Sequence, residues 1–293
     1  MTTIYVLGAG FSKTCGIATD LEMLDALNPL LEKTENKNGV ENTYIEALLD
    51  QNYPGPEKIG FEVFMSTISA LKYSPEYLKI EPNKFLEAEQ EIRGALIQYL
   101  KNVVKKVDWQ HEGKFILDFV TRVNWQQDAI ITFNYDLLLE TAMKRIGHSA
   151  GDRILHLHGA INDKTLAWPT YRKFAYRNTR SRLAERWRQA YNLLSTSKRN
   201  RRLEKLIFIG YSMPMFDLEA RGLFNYTDWY NHNFYEDAQA NRLISSVPKD
   251  QLYNYQIIVV NPCQTVKGNY KFLRKDPVFY PQLFSDWLNS LPT

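Results

Sequence analysis

Several short hydrophobic runs in this chain stop at residues able to do chemistry. The first, Thr3 to Leu7, is followed by Gly8, Ala9, Gly10, Phe11 and Ser12, with Gly16 six residues beyond Gly10. Glycines at such a place let backbone N–H groups approach a diphosphate, and a following helix favours its charge. Lys13 stands where a G-x-G-x-x-G fingerprint would put its third glycine, so a tight strand-to-helix turn without ligand remains open beside the phosphate reading.

The second run ends in ITFNYD, where Asn134 and Asp136 lie two apart and would share a side of an extended chain. An amide and a carboxylate at the carboxyl end of a strand suit ribose hydroxyls or a positioned water; alternatively, they cap the helix that starts near Leu137. The third run, ILHLHG, places His156 and His158 on one face. A histidine before glycine at a strand end is placed as a general base, with a half-buried structural histidine or a His-x-His metal pair as alternatives. A fourth run ends in IFIGYSMPMFD, offering Gly210, Ser212 and Asp217, and a fifth in IIVVNP, offering Asn261. Each has a plain loop reading; five ends of one character point to a common site.

The elements that must hold these residues follow from pattern. Near-continuous apolar runs at Thr3–Leu7, Ala129–Phe133, Arg153–Leu157, Leu206–Ile209 and Gln256–Val260 predict parallel strands covered on both faces, with helical crossovers between them. The fold expected is α/β, a Rossmann-like doubly wound, mainly parallel sheet. Residues 1–19 and 124–293 would form that core, with a basic helical insertion at about 166–205, and residues 20–123 a helical insertion. Within the latter, Phe85, Ile92, Leu96, Tyr99, Val103 and Val107 make one stripe, and Phe61, Phe64, Ile68 and Leu71 another. Asp20 is expected to cap the helix that follows it, and Gly147 to end a helix over residues 137–146.

Length and composition agree. A chain of 293 residues corresponds to about two domains and buries roughly 75% of its unfolded surface. With 44% apolar and 24% charged residues and 14 glycines and 12 prolines, fibrous and low-complexity classes are excluded. The net charge of +3 is unevenly spread: from Tyr171 to Lys205 twelve basic residues face only Glu185 and Glu204, a net of +10 that leaves −7 elsewhere. Leu183, Trp187, Tyr191 and Leu194 recur inside that segment at helical steps. The basic stretch could bind nucleic acid through Arg172 to Lys205, dock an acidic partner or second subunit, or form a solvated helix face. Two cysteines, Cys15 and Cys263, exclude a four-cysteine zinc site from this chain. No run of 18 apolar residues occurs, so no membrane partner is expected and the chain reads as cytoplasmic.

Taken in order, GAGFSKTCGI (Gly8–Ile17), TFNYD (Thr132–Asp136), LHG (Leu157–Gly159), GYS (Gly210–Ser212) and VNP (Val260–Pro262) resemble the motifs of the sirtuin family, in particular its prokaryotic sirtuin-like NADase branch. The resemblance implies a Rossmann-like fold binding NAD as substrate. It puts Gly8, Ala9, Gly10, Phe11 and Ser12 on the diphosphate side and Asn134 and Asp136 at the nicotinamide ribose and attacking water. His158 becomes the base or ribose-orienting group, and Gly210, Ser212 and Asn261 line the adenosine half. His156 stands where deacetylating sirtuins usually carry an acidic residue. The departures are equally informative: no zinc-binding cysteine module, no recognisable substrate loop, Ala18 to Leu21 in place of an acidic-aromatic-basic ending, and Phe133 in place of glutamine. They favour NAD hydrolysis without zinc over protein deacetylation.

The activity so implied is cleavage of the nicotinamide–ribose bond by an antiphage effector that depletes NAD. The alternatives are an ADP-ribosyltransferase or deacylase of sirtuin type and a non-catalytic NAD- or ADP-ribose-sensing subunit. An unregulated NADase would harm its host, so the resemblance further implies a homo-oligomer gated by a separate sensor or an ATPase or other nucleotide-processing partner.

Overall fold

The computed structural model describes residues 2–38, 60–71, 82–149, 153–163, 166–167, 182–195, 203–214, 217–227, 255–273 and 275–291. Six strands form one wholly parallel sheet: β1 (Thr2–Leu7), β2 (Ala129–Thr132), β3 (Ile154–His156), β4 (Leu203–Ile209), β5 (Gln256–Val260) and β6 (Val278–Tyr280). Their order is β3-β2-β1-β4-β5-β6. The chain winds outward from β1 in one direction through β2 and β3, then returns to the other side of β1 for β4 to β6. Right-handed crossovers therefore put helices on opposite faces of the two halves, the doubly wound α/β arrangement of Rossmann-like folds. Between β1 and β4 the direction of winding reverses, and the carboxyl ends of these strands open a crevice where such sheets take ligands.

The register shows which side chains each face buries. Tyr5 and Ile207 are partners on one face, and Val6 and Phe208 on the other. On the first face Tyr5 meets Phe119 of helix Lys114–Arg122 edge-on at 5.1 Å. Phe119 in turn packs against Phe284 of helix Phe284–Ser290 at 5.7 Å and Phe11 at 5.3 Å. On the second face Phe208 packs against Phe224 at 4.9 Å and Tyr270 at 5.1 Å. Apolar burial on both sides explains why β2 is buried at all four residues and why its sequence shows no alternation.

Two compact units are distinguished: Met1–Cys15 with Asp108–Leu166 and Arg177–Thr293, and Gly16–Val107 with Ala167–Tyr176. In the second unit, helix Pro82–Lys106 packs on helices Met23–Asn38 and Phe61–Leu71. It buries Ile92, Leu96 and Leu100, whereas Tyr99 sits at its margin, accepting from Ala18 N–H and donating to the Gly16 carbonyl. The side chains of Phe85, Ile68 and Leu71 lie outside the described residues.

Asp20 does not cap the helix that follows it. Its carboxylate accepts from Glu62 N–H at 2.8 Å and its carbonyl from Phe61 N–H at 3.0 Å, so it caps the helix Phe61–Leu71 instead. The helix from Met23 is led in by Thr19, whose N–H and hydroxyl both donate to Glu22. Gly147 does end its helix: at φ +77° it sits between the His148 N–H···O=C Met143 and Gly147 N–H···O=C Lys144 closures of a left-handed cap.

The apolar residues of the basic segment are largely used inside the chain. Helix Arg182–Leu194 buries Leu183, Trp187, Ala190 and Leu194, and the Trp187 indole donates to the Leu157 carbonyl at 2.7 Å. Arg182 and Arg188 remain exposed, while Arg172, Lys173, Arg177, Arg180, Lys198, Arg199, Arg201 and Arg202 lie outside the described residues.

Both cysteines are free thiols, Cys15 buried and Cys263 exposed. Burial pushes the Cys15 thiol up to about 12, and the Thr265 hydroxyl beside Cys263 holds that thiol below its ordinary value. Native protein should therefore react with a thiol reagent at Cys263 alone and yield its second equivalent only on denaturation; two fast equivalents in the native state would contradict this packing.

Candidate functional site

The turn after β1 and the turn after β4 interlock at the crevice. Gly8 N–H donates to the Ile209 carbonyl at 3.1 Å, Gly10 N–H to the Gly210 carbonyl at 3.0 Å, and Phe11 N–H to the Gly8 carbonyl at 2.9 Å. A Cβ on Gly8 would lie 2.6 Å from Tyr211 Cα, and one on Gly10 2.7 Å from Gly210 Cα. The glycines thus serve the approach of two backbone segments, and three of the amides that could cradle a diphosphate already have acceptors. Ala9 is exposed, and Phe11 is buried against Phe119 and Phe284.

Beside this turn a hydrogen-bonded chain ties β1 to the loop after β2. Leu138 N–H and the Ser12 hydroxyl donate to the two Asp136 oxygens at 3.1 and 2.8 Å. Asn134 Nδ2 donates to Ser12 Oγ at 2.9 Å and to the Gly8 carbonyl at 3.0 Å. Because a carbonyl can only accept, the Gly8 contact fixes which amide atom is nitrogen and leaves Asn134 Oδ1 on the other side. Asn134 is half-buried, while Ser12 and Asp136 are buried. Asp136 therefore sits behind Ser12 and Asn134 and also holds the first N–H of helix Leu138–Arg145, combining the cap anticipated for it with a link to the amide.

Burial pushes the Asp136 carboxyl above the ordinary carboxylate range, against the opposing pull of its bonds from Ser12 and Leu138. The folded state then binds more protons than the unfolded one between the unfolded value of about 3.9 and the higher folded value, so stability falls as pH rises through that interval. Asp136→Asn keeps the shape and removes the buried charge. Its melting temperature minus that of the wild type should grow upward from about pH 4; a difference that stays flat with pH would show that this carboxyl is not perturbed.

The two histidines part company. β3 ends at His156 and the chain turns at once, with Gly159 N–H donating to the His156 carbonyl, so alternation does not carry through to His158. The His156 ring lies 3.0 Å from the Asn134 carbonyl and 2.6 Å from Glu140 Oε1. Burial alone would lower its pKa; the bond and charge of Glu140 outweigh that and raise it. The His158 ring instead packs near Phe133, at 5.0 Å, and Tyr135, at 6.1 Å, the two residues flanking Asn134. Its Nε2 lies 3.3 Å from Asp217 Oδ2.

The loop beyond His158 is anchored by the basic helix. Asp163 accepts from Ala160 N–H at 2.8 Å and pairs with Arg186 through both oxygens, which outweighs its partial burial and lowers its pKa. This anchoring role of Arg186 has no counterpart in the motif pattern. Ser212 is exposed after β4, with its carbonyl held by Asn269 Nδ2. Asn261 ends β5 in a local turn, its Oδ1 accepting from Cys263 N–H at 3.0 Å. These residues all stand at the carboxyl side of the sheet; Ser12, Asn134 and Asp136 are joined directly, whereas no described bond joins Ser212 or Asn261 to them.

No protein-family model and no curated protein matches the chain. Solved structures do. Those similar to it include a Sir2–p53 peptide–NAD+ complex, at 14% identity and a TM-score of 0.41, covering 98% of this chain and 90% of the other. Another is Sir2 with the inhibitor EX-527, 2′-O-acetyl-ADP-ribose and deacetylated p53 peptide, at 14% identity and a TM-score of 0.41, covering 98% and 91%. Sir2Tm bound to a propionylated peptide matches at 13% identity with a TM-score of 0.40, covering 98% and 90%. Among the described residues no group of three or more His, Cys, Asp or Glu side chains is arranged to hold a metal ion. No helix there is long and apolar enough to cross a membrane.

Proposed function

We propose that the chain hydrolyses NAD at the nicotinamide–ribose bond. The observation that carries this reading is an oriented amide, Asn134, in the loop after β2, whose chain neighbours Phe133 and Tyr135 pack on the buried imidazole of His158. The ordered motif resemblance supports NAD as the substrate. In the reaction the C1′–N bond breaks and its electron pair passes to the pyridine nitrogen, neutralising the ring. Water oxygen bonds to C1′, and one water proton passes through His158 to solvent. Nicotinamide leaves neutral, so the site needs a dipole toward the developing oxocarbenium and a placed water rather than a strong acid. Asn134 Oδ1 supplies the dipole, and Asp136 acts through Ser12 to hold the amide.

The companion biological reading, drawn from the same resemblance, is a defence effector that depletes NAD when a separate partner engages it. Purified protein incubated with NAD, with and without the product of the neighbouring gene, should release nicotinamide and ADP-ribose in equal amounts. Transfer of ADP-ribose to protein, loss of an acyl group from a peptide, or binding without turnover would each replace this reading.

A further inference from the structure

We infer that Asp217 is the positioning residue for His158, fixing the imidazole with Nε2 protonated so that Nδ1 is the atom free to accept a proton; this deepens the NAD-hydrolysis reading and rests on it for its catalytic part. Asp217 lies seven residues beyond Gly210, at the start of a helix over residues 218–227, and its side chain is 1% exposed. One oxygen, Oδ1, faces Ala220 N–H at 3.3 Å, which is an ordinary helix-cap contact. The other oxygen does something a cap does not require. Oδ2 accepts from the Tyr211 hydroxyl at 3.1 Å and stands 3.3 Å from His158 Nε2, a nitrogen that is fully buried and has no hydrogen-bond partner among the described residues.

The surroundings hold this pair in place from several elements. Phe133 is stacked on Tyr211 at 4.4 Å and 9° and meets the His158 ring at 5.0 Å. The Tyr270 hydroxyl donates to the Tyr211 carbonyl at 2.6 Å. Among the described residues, the ionisable groups beside the His158 ring are Asp217 after β4 and Tyr135 after β2, with Tyr211 donating to the same Asp217 oxygen; His156, two residues earlier, is turned to Glu140. A buried imidazole nitrogen this close to a buried carboxylate oxygen is far more stable carrying its proton than presenting a lone pair to it. At 3.3 Å the pair is within reach and lacks alignment; a small turn of the ring on substrate binding would complete the hydrogen bond, as catalytic bonds are often poorly aligned until substrate is bound. With the proton on Nε2, Nδ1 keeps its lone pair, and no described residue bonds to it.

Selective ¹⁵N labelling of the five histidines and long-range ¹H–¹⁵N correlation read the tautomer directly, with the His158 signals assigned by their loss in His158→Gln. Wild-type protein at neutral pH should show Nε2 protonated and Nδ1 bare. Asp217→Asn should shift the population toward Nδ1–H and lower kcat for nicotinamide release by about 10²–10⁴-fold, with KM for NAD within about twofold, and Asp217→Glu should recover part of the loss. A wild-type His158 protonated on Nδ1, or an Asp217→Asn variant with unchanged tautomer and kcat, would overturn the assignment. Should that variant not fold, the wild-type tautomer alone decides. A chain that releases no nicotinamide but keeps Nε2–H would remove the hydrolysis reading and leave the Asp217–His158 pair standing.

Discussion

Asn134→Ala is expected to lower nicotinamide release from NAD by about 10²–10³-fold while the protein stays folded. The amide is half-buried and spends both of its hydrogens on the Gly8 carbonyl and Ser12 Oγ. Truncation removes two hydrogen bonds at a site water can reach, which costs about 1–2 kcal/mol and a few degrees of melting temperature. What it removes from the chemistry is larger. Oδ1 is held with its negative end away from Gly8, and a dipole fixed before the reaction needs no reorganisation when charge develops at the sugar. Asn134→Asp is no rescue, because it would set a carboxylate oxygen against the Gly8 carbonyl in place of a donor. Rates measured beside melting curves separate the two effects. Wild-type turnover in Asn134→Ala would remove this amide from the mechanism.

What the residue string reveals depends on how local the cause is. Five strands are legible because a strand covered on both faces must be apolar throughout, and the observed β5 coincides with the expected Gln256–Val260. β6 is not legible: it is three residues long, half-exposed at the sheet edge and enclosed by Pro277 and Pro281, each of which argues against a strand. Asp20 shows the limit from another side. A carboxylate before a helical pattern reads as that helix's cap, yet its acceptor position is filled by an N–H 42 residues later. In the same way Asn134 and Asp136 are visible as a pair, but Ser12, which joins them, is brought in across 122 to 124 residues by strand pairing. The basic segment shows its apolar stripe but not what that stripe packs against; Trp187 and Leu194 are core residues of this chain, and Arg186 is tied to Asp163.

Gly210→Ala is expected to destabilise the protein by about 2–5 kcal/mol, from an αL penalty of about 1–2 kcal/mol and an overpacking cost of about 1–3 kcal/mol. Gly210 has φ +60°, and its added Cβ would lie 2.3 Å from Phe11 N and 2.4 Å from Gly10 C. Both obstacles are backbone, so no rotamer change relieves them. Movement would strain Gly10 N–H···O=C Gly210 and Gly210 N–H···O=C Val260, the bonds that hold the ends of β1, β4 and β5 together. Gly147→Ala is the matched control: its φ is +77°, but nothing lies within 4 Å of the new Cβ, so it bears the conformational cost alone. The excess of the first substitution over the second, read from denaturant midpoints, isolates the close approach. That comparison also separates two reasons for glycine at a strand-to-helix turn, because a residue kept small for a bound phosphate leaves space when no ligand is present. Equal midpoints would mean that space lies between the two turns; a large excess means that the crevice floor is built of backbone against backbone, and that the dinucleotide of the proposed reaction would lie on it rather than thread into it.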